Sequence, residues 1–330
     1  MEKDSVRTLM STRVLVTGTS VRRELLQPLV DAGYTVDNPT HLLSDNELKE
    51  ALTSTAAYLL GGDEYASRKA LSSAKDLKVI AFLGMGFEAF VDAAAATDLR
   101  IPITNTPGTL SNAVAELTMG LVLSSTRRLF AYASSYLVGA SEAPEKQHDL
   151  SAMHVGIVGL GGVGTRIAEI LRNGFGSRVS YFSRTRKPKE ENRLGLSFAN
   201  LSQLVREVDL LVVMTPSNEQ TKGMIGKDQV TSFRPGLILI NSARPDIVDP
   251  GALLAGLESG QIGYAAFDAF YEASPDLLER LKAMIPAKLM VTPHLGSLTH
   301  EARDGMARKA TQSILNILKT GTDPCIVNRI

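Results

Sequence analysis

Three glycines, Gly159, Gly161 and Gly164, stand in G-x-G-x-x-G spacing between the apolar run "HVGIVG" and a helical pattern. The spacing alone is common; a strand before it and a helix after it are the setting in which it cradles a pyrophosphate. Gly159 permits the tight turn, Gly161 lets backbone approach the phosphates, and Gly164 allows close helix–strand packing. The N–H groups around Gly162 and Val163 would meet phosphate at the positive end of that helix. About twenty residues on, such folds ordinarily place an Asp or Glu that grips a ribose hydroxyl. Here the chain reads Ser183, Arg184, Thr185, Arg186, Lys187. Hydroxyls and positive charge suit a 2′-phosphate, and the missing acid removes the repulsion that would reject one. The expected cofactor is therefore NADP(H), preferred over NAD(H); the plainer reading is a solvated basic loop.

Two further residues could do chemistry beside such a cofactor. Arg244 follows the strand pattern "GLILIN", at the carboxyl end where open α/β sheets bind ligands. A guanidinium fork holds carboxylate and carbonyl oxygens directionally, which an ammonium cannot. His294, in "TPHLGS", follows another strand end, and an imidazole that titrates near neutrality can give and take the carbonyl proton. In isolation each would read as an ordinary turn residue.

The elements that must position these groups alternate almost throughout. "RVLVTG" (13–18), "AAYLL" (57–61), "KVIAF" (78–82) and "IPIT" (101–104) read as buried strands of one parallel sheet. "HVGIVG" (154–159), "RVSYF" (178–182), "DLLVVMT" (209–215), "GLILIN" (236–241), "GYAAFD" (263–268) and "LMVTP" (289–293) read as a second. Continuous apolar strands separated by helices imply sheets covered on both faces. The fold class is α/β, with two Rossmann-like domains. Residues 111–129 form a helix apolar nearly all round, expected between domains or subunits. A second long helix covers about 299–320, and "PCIVNRI" is expected as a strand returning to the first domain. The boundaries follow: a split domain at 1–104 and 305–330, with a dinucleotide-binding domain, 105–304, inserted.

Composition narrows the class. The 330 residues are 44% apolar and 21% charged, with 35 basic and 35 acidic side chains. That balance argues against nucleic acid or an anionic membrane as the main partner. The single cysteine, Cys325, excludes an intramolecular disulfide framework and a cysteine-rich zinc site. "MEKDSVRTLM" lacks the apolar core of a signal peptide, and no apolar run has membrane-spanning length. A cytoplasmic enzyme without a metal is the expectation.

"LKVIAFLGMGFEAFVD" (77–92), "IPITNTPGTLSNAVAELTMGLVL" (101–123), "GIVGLGGVG" (156–164), "NSARPDIVD" (241–249), "GYAAFDAF" (263–270) and "TPHLGSLT" (292–299) together resemble the D-isomer-specific 2-hydroxyacid dehydrogenase family, over nearly the whole chain. The resemblance implies a split substrate domain, a Rossmann-type cofactor domain, a cleft between them, a small 2-oxo or 2-hydroxy acid as substrate, and a homodimer. It makes Arg244 the catalytic arginine and His294 the acid–base histidine. The backbone of Gly84, Met85 and Gly86 becomes the carboxylate-binding loop. Asp268 falls near the nicotinamide carboxamide, and Thr215, Pro216, Thr221, Ala243 and Gly296 flank the cofactor. Phe82, Leu83, Met85 and Phe87 hint at an apolar substrate pocket, which sheet packing explains equally well; His300 reads as structural.

The chain departs from the family at two places. Pro245 stands where the family has a glycine after its arginine. Relatives also place, five residues after the aspartate, a glutamate that raises the pKa of the catalytic histidine; here that position is Ala273, and Glu272 comes one residue early. Glu272 is the candidate replacement. A second functional reading is a cofactor-binding regulatory or corepressor-like protein with little turnover, against which the presence of Arg244 and His294 counts.

Overall fold

The computed structural model describes residues 12–18, 21–139 and 145–329. The N-terminal segment considered above as a possible leader lies outside them. Contacts divide the chain into two compact units, 1–110 with 299–330, and 111–298. The breaks expected at 104 and 305 thus fall at the ends of the two long helices instead.

The first unit carries β1 (Arg13–Val16), β2 (Thr35–Asp37), β3 (Ala57–Leu60), β4 (Val79–Phe82) and β5 (Ile103–Thr104), all parallel, in the order β2-β1-β3-β4-β5. Residues of β1, β3 and β4 are almost wholly buried, as their unbroken apolar runs require. β2 was not expected: it is three residues long, at a sheet edge and partly exposed, so it has no apolar signature. The helix His300–Thr320, capped by the Thr299 side chain, packs its apolar face on this sheet. Over its described residues, 324–329, "PCIVNRI" is not a strand. It makes one antiparallel bridge, Thr104 with Ile326, and the Asn328 side chain accepts from Ile103 N–H at 2.7 Å and donates to Ile101 O at 3.0 Å. With β5 only two residues long and Pro324 lacking an N–H, no longer ladder can form.

The second unit carries β6 (His154–Val158), β7 (Arg178–Phe182), β8 (Ser197–Phe198), β9 (Leu210–Val213), β10 (Leu237–Asn241), β11 (Ile262–Asp268) and β12 (Leu289–Thr292). All are parallel, in the order β12-β11-β10-β9-β6-β7-β8. The sheet order turns back at β6, the switch point beside which ligands bind in this architecture. The helix Ser111–Thr126 packs within this unit, against the helix Gly162–Phe175 and the β10–β11 region. It stops short of its expected end because Arg128 turns left-handed (φ 46°), and a second helix, Leu129–Leu137, begins.

His154 joins three elements of this unit. Its Nδ1 donates to Glu207 O at 3.1 Å and its Nε2 accepts from Ser180 Oγ at 2.8 Å, the tautomer that a carbonyl partner dictates. The residue is 7% exposed, and burial, aided by Arg178, holds its pKa below the ordinary value. Between the unfolded value of about 6.5 and the lower folded one, the unfolded chain binds more protons. Stability therefore falls as pH drops below about 6.5. Thermal unfolding from pH 7.5 to 5 should show this loss, and His154→Gln should flatten it while lowering the midpoint at pH 7.5.

Candidate active site

At the end of β6 the backbone turns through Gly159 (φ 103°), where a Cβ would lie 2.6 Å from Met214 O. Gly159 N–H donates to Phe182 O at 2.7 Å, which ties the turn to the end of β7. A Cβ on Gly164 would lie 2.1 Å from Gly159 O, so the helix sits against the turn only because Gly164 lacks a side chain. A Cβ on Gly161, by contrast, would meet nothing within 4 Å. The ligand-facing glycine opens on free space, while the other two are closed by packing. No side chain caps the helix Gly162–Phe175, so its first N–H groups are unspent. This cradle fits a pyrophosphate.

β7 leads into the basic loop. Ser183 Oγ donates to Thr185 O at 2.6 Å. Tyr181, buried on β7, donates its hydroxyl hydrogen to Glu191 at 2.6 Å and accepts from Lys187 N–H at 2.7 Å. Arg186 forms a two-point pair with Glu191, with Nη2 at 2.8 Å and Nε at 2.9 Å, and lies 5.8 Å from the ring centre of Phe198. That guanidinium, with the tyrosine hydroxyl second, holds the Glu191 pKa down at about 2. Burial and then Glu191 push Tyr181 up to about 12. Arg184 is exposed and makes no hydrogen bond or ion pair among the described residues. Thr185 and Lys187 are exposed beside it.

After β9, Thr215 and Pro216 open a loop closed by Thr221, whose hydroxyl donates to Pro216 O at 2.6 Å and accepts from Asn218 N–H at 2.9 Å. After β10, Asn241 builds the Arg244 turn: its Oδ1 accepts from Ala243 N–H at 3.1 Å and its Nδ2 donates to Arg244 O at 2.8 Å. Arg244 is half-buried and extended (φ −138°, ψ 137°), the conformation that a following proline favours. Pro245 then takes the first position of a short 3-10 turn, where no N–H is needed. The departure from the family glycine is thus met without strain. Asp246 accepts from Ser217 Oγ at 2.7 Å, joining the two loops.

Asp268 ends β11 and is 2% exposed. Its Oδ1 accepts from Thr292 Oγ1 and Leu295 N–H, both at 2.7 Å, and its Oδ2 from Gly296 N–H at 2.8 Å. Those three donors bracket His294, which is exposed and held left-handed at φ 56°. A buried carboxylate thus fixes the loop that carries the histidine. Ala269, next to Asp268, also has positive φ (127°), so the chain leaves β11 through a strained turn. Glu272 is exposed, and no hydrogen bond or ion pair holds its carboxylate among the described residues. Ala273, at the family glutamate position, packs on the core of the unit.

In the first unit, the loop after β4 is pinned at Gly84, whose carbonyl accepts from Thr106 N–H at 3.0 Å and Thr106 Oγ1 at 3.2 Å. Asn105 Nδ2 donates to Met85 O at 3.3 Å. The N–H groups of Met85 and Gly86 meet no acceptor among the described residues. Phe82, Leu83 and Phe87 are buried in the cores of this unit, so sheet packing accounts for them; Met85 is 44% exposed. His300 begins the long helix and is exposed. Burial raises the pKa of Cys325. No group of His, Cys, Asp and Glu that could hold a metal ion occurs among the described residues.

Parallel strands put their carboxyl ends at one sheet edge. Along that edge of the second unit stand, in spatial order, His294 after β12, Asp268 on β11, Arg244 after β10, the Thr215–Thr221 loop after β9, the glycine turn after β6 and the basic loop after β7. At roughly 4.8 Å per strand, the edge lays an imidazole, a carboxylate and a guanidinium at one end and the glycine turn and basic loop toward the other. The sequence singles out these residues as candidates but not Asn241, Glu191 and Tyr181, which support them. Their roles depend on partners that only the folded register brings near.

Comparison with known proteins agrees with this layout. Residues 119–296, more than half of the chain, match the model described as "D-isomer specific 2-hydroxyacid dehydrogenase, NAD binding domain". Glyoxylate reductase of Thermococcus litoralis is 33% identical over 270 residues, covering 79% of this chain and 80% of that one. Glyoxylate/hydroxypyruvate reductase B of Escherichia coli is 31% identical over 310 residues, covering 92% and 94%. Among solved structures, a Thermus thermophilus protein is 30% identical with a TM-score of 0.82, covering 95% of this chain and 99% of that one. A glyoxylate reductase from Paecilomyes thermophila shares the fold at a TM-score of 0.84 and 22% identity, covering 96% and 98%. The chain belongs to the D-isomer-specific 2-hydroxyacid dehydrogenase family, NAD(P)-dependent enzymes that interconvert 2-oxo and D-2-hydroxy acids.

Proposed function

We propose that the protein is an NADPH-dependent reductase of a small 2-oxo acid, with glyoxylate and hydroxypyruvate, the acids named for its relatives, as first candidates. The observation that carries this reading is the adjacency of His294, Asp268 and Arg244 on three neighbouring strand ends, beside a glycine cradle that fits a dinucleotide. A dinucleotide held at the Gly159–Gly164 turn would supply the hydride for the carbonyl carbon. Arg244 holds the substrate carboxylate with its guanidinium fork and fixes the carbonyl. His294 gives one proton to the carbonyl oxygen, so hydride plus proton convert the oxo acid to the hydroxy acid. Asp268 keeps His294 in place through the three hydrogen bonds around it. In the first unit, the unspent amides of Met85 and Gly86 are the proposed carboxylate-binding pair.

Glu272 is the proposed carboxylate partner of His294 by its place in the chain, and its exposure bounds the effect. Solvent screens an exposed pair, so Glu272→Gln should move the reduction profile to lower pH by less than about one unit.

A homodimer is part of the proposal, supported by apolar side chains exposed around the helix Leu129–Leu137: Leu129, Phe130, Tyr136 and Leu137. Sedimentation of the purified protein at a one-chain mass would contradict it. No helix among the described residues is long and apolar enough to cross a membrane, and a cytoplasmic location is proposed.

Absorbance at the NADPH band during incubation with a panel of 2-oxo acids tests the enzyme reading. Consumption with a small acid, yielding the D-hydroxy product, is expected. Tight NADPH binding without turnover on any acid would favour the regulatory reading instead.

A further inference from the structure

The loop after β7 carries three cations, Arg184, Arg186 and Lys187, but the structure does not leave them equivalent. Arg186 is turned back on the protein. Glu191 takes its guanidinium at two points, and the ring it lies against belongs to Phe198 on β8. In the sheet, β8 lies on the far side of β7 from β6 and its glycine turn. Arg186 is thus drawn away from the strand whose turn would hold the cofactor phosphates. Glu191 also accepts from Tyr181, whose oxygen receives the Lys187 N–H. Together with the Ser183–Thr185 hydrogen bond, these contacts close the loop on itself at both ends. Arg184 lies at the tip of the turn that the Ser183–Thr185 bond closes, and its guanidinium has no partner among the described residues.

We propose that Arg186 is not a phosphate ligand but a latch: Arg186, Glu191 and Tyr181 hold the loop in one shape, and that shape presents Arg184 as the group that reads a 2′-phosphate. This rests on the NADP(H) reading above. A lone exposed ion pair contributes little, but two-point geometry within a network is the case in which it does contribute. Because Glu191 already neutralises Arg186, that cation adds little net attraction for a dianion. Glu191 and Tyr181 are positioning residues in this scheme, acting on the cofactor only through the loop.

Titration of protein fluorescence with NADPH and with NADH separates the roles. Wild type should bind NADPH at least about tenfold more tightly than NADH. Arg184→Ala should lose that factor and flatten the salt dependence of NADPH binding, since it removes the charge that salt screens, with NADH affinity unchanged. Arg186→Ala and Glu191→Gln should each weaken NADPH by a similar, smaller factor of about two to five. The double variant should be no worse than either single one, because both break the same latch, and the salt slope should stay as in wild type. Tyr181→Phe should act in the same direction. A wild type that binds both cofactors alike overturns the cofactor reading, and this inference with it. A wild type that prefers NADPH overturns the latch alone if Arg186→Ala costs as much as Arg184→Ala, or if Glu191→Gln strengthens NADPH binding by freeing Arg186.

Discussion

Replacing His294 with alanine should lower kcat for 2-oxo-acid reduction by about 10²–10⁴-fold, the usual contribution of a positioned general acid. Cofactor binding should be unchanged, because the glycine turn lies four strands away at the same sheet edge. The expectation comes from how the side chain is held. His294 has a left-handed backbone between donors that Asp268 fixes, a conformation that an unconstrained histidine turn would not keep. Substitution to alanine removes the proton donor and leaves the Leu295 and Gly296 bonds to Asp268 in place. The loss should therefore fall on turnover, with little change in thermal unfolding. Steady-state kinetics beside NADPH titration check this, and wild-type kcat in His294→Ala would show that the proton comes from elsewhere.

Arg244→Ala should reduce kcat/KM for the oxo acid by about two to four orders of magnitude, since two charge-assisted contacts at about 1.5–3 kcal/mol each disappear. Arg244→Lys should recover only a fraction, because an ammonium cannot reproduce the fork. The turn itself should survive, since Asn241 holds both Ala243 N–H and Arg244 O and only the Arg244 Nη1 bond to Ala243 O, at 2.9 Å, is lost. The loss should grow with KM as well as kcat, unlike that of His294→Ala, and this difference separates a clamp from a proton donor. An unaltered KM with intact turnover in Arg244→Ala would contradict the assignment.

Much of the architecture is legible in the sequence because parallel strands covered on both faces must be apolar throughout. β3, β4, β6, β9 and β10 announce themselves in that way. β2 and β8 escape notice because they are short edge strands with exposed residues, which need no apolar run. "PCIVNRI" has strand composition but only a two-residue strand to pair with. The glycine turn is readable because steric closure at Gly159 and Gly164 admits no other residue. The supports of the site are not, because they are contacts across elements. Asp268 reaches Thr292 only because β11 and β12 pair in that register. Arg186 meets Glu191 only because a helix starts at Pro188 and brings the acid back over the loop. A count of charges along "SRTRK" sees three free cations; the fold spends one of them.

On the proposed function, the basic loop selects the 2′-phosphorylated dinucleotide for hydride transfer to a small oxo acid. The ratio of kcat/KM for NADPH to that for NADH, measured at a fixed saturating concentration of whichever acid is turned over fastest, tests it most directly. Charge-assisted contacts to the 2′-phosphate predict a ratio above about ten, collapsing toward one in Arg184→Ala. Comparable efficiencies in wild type, or a preference for NADPH that persists in Arg184→Ala, would contradict it.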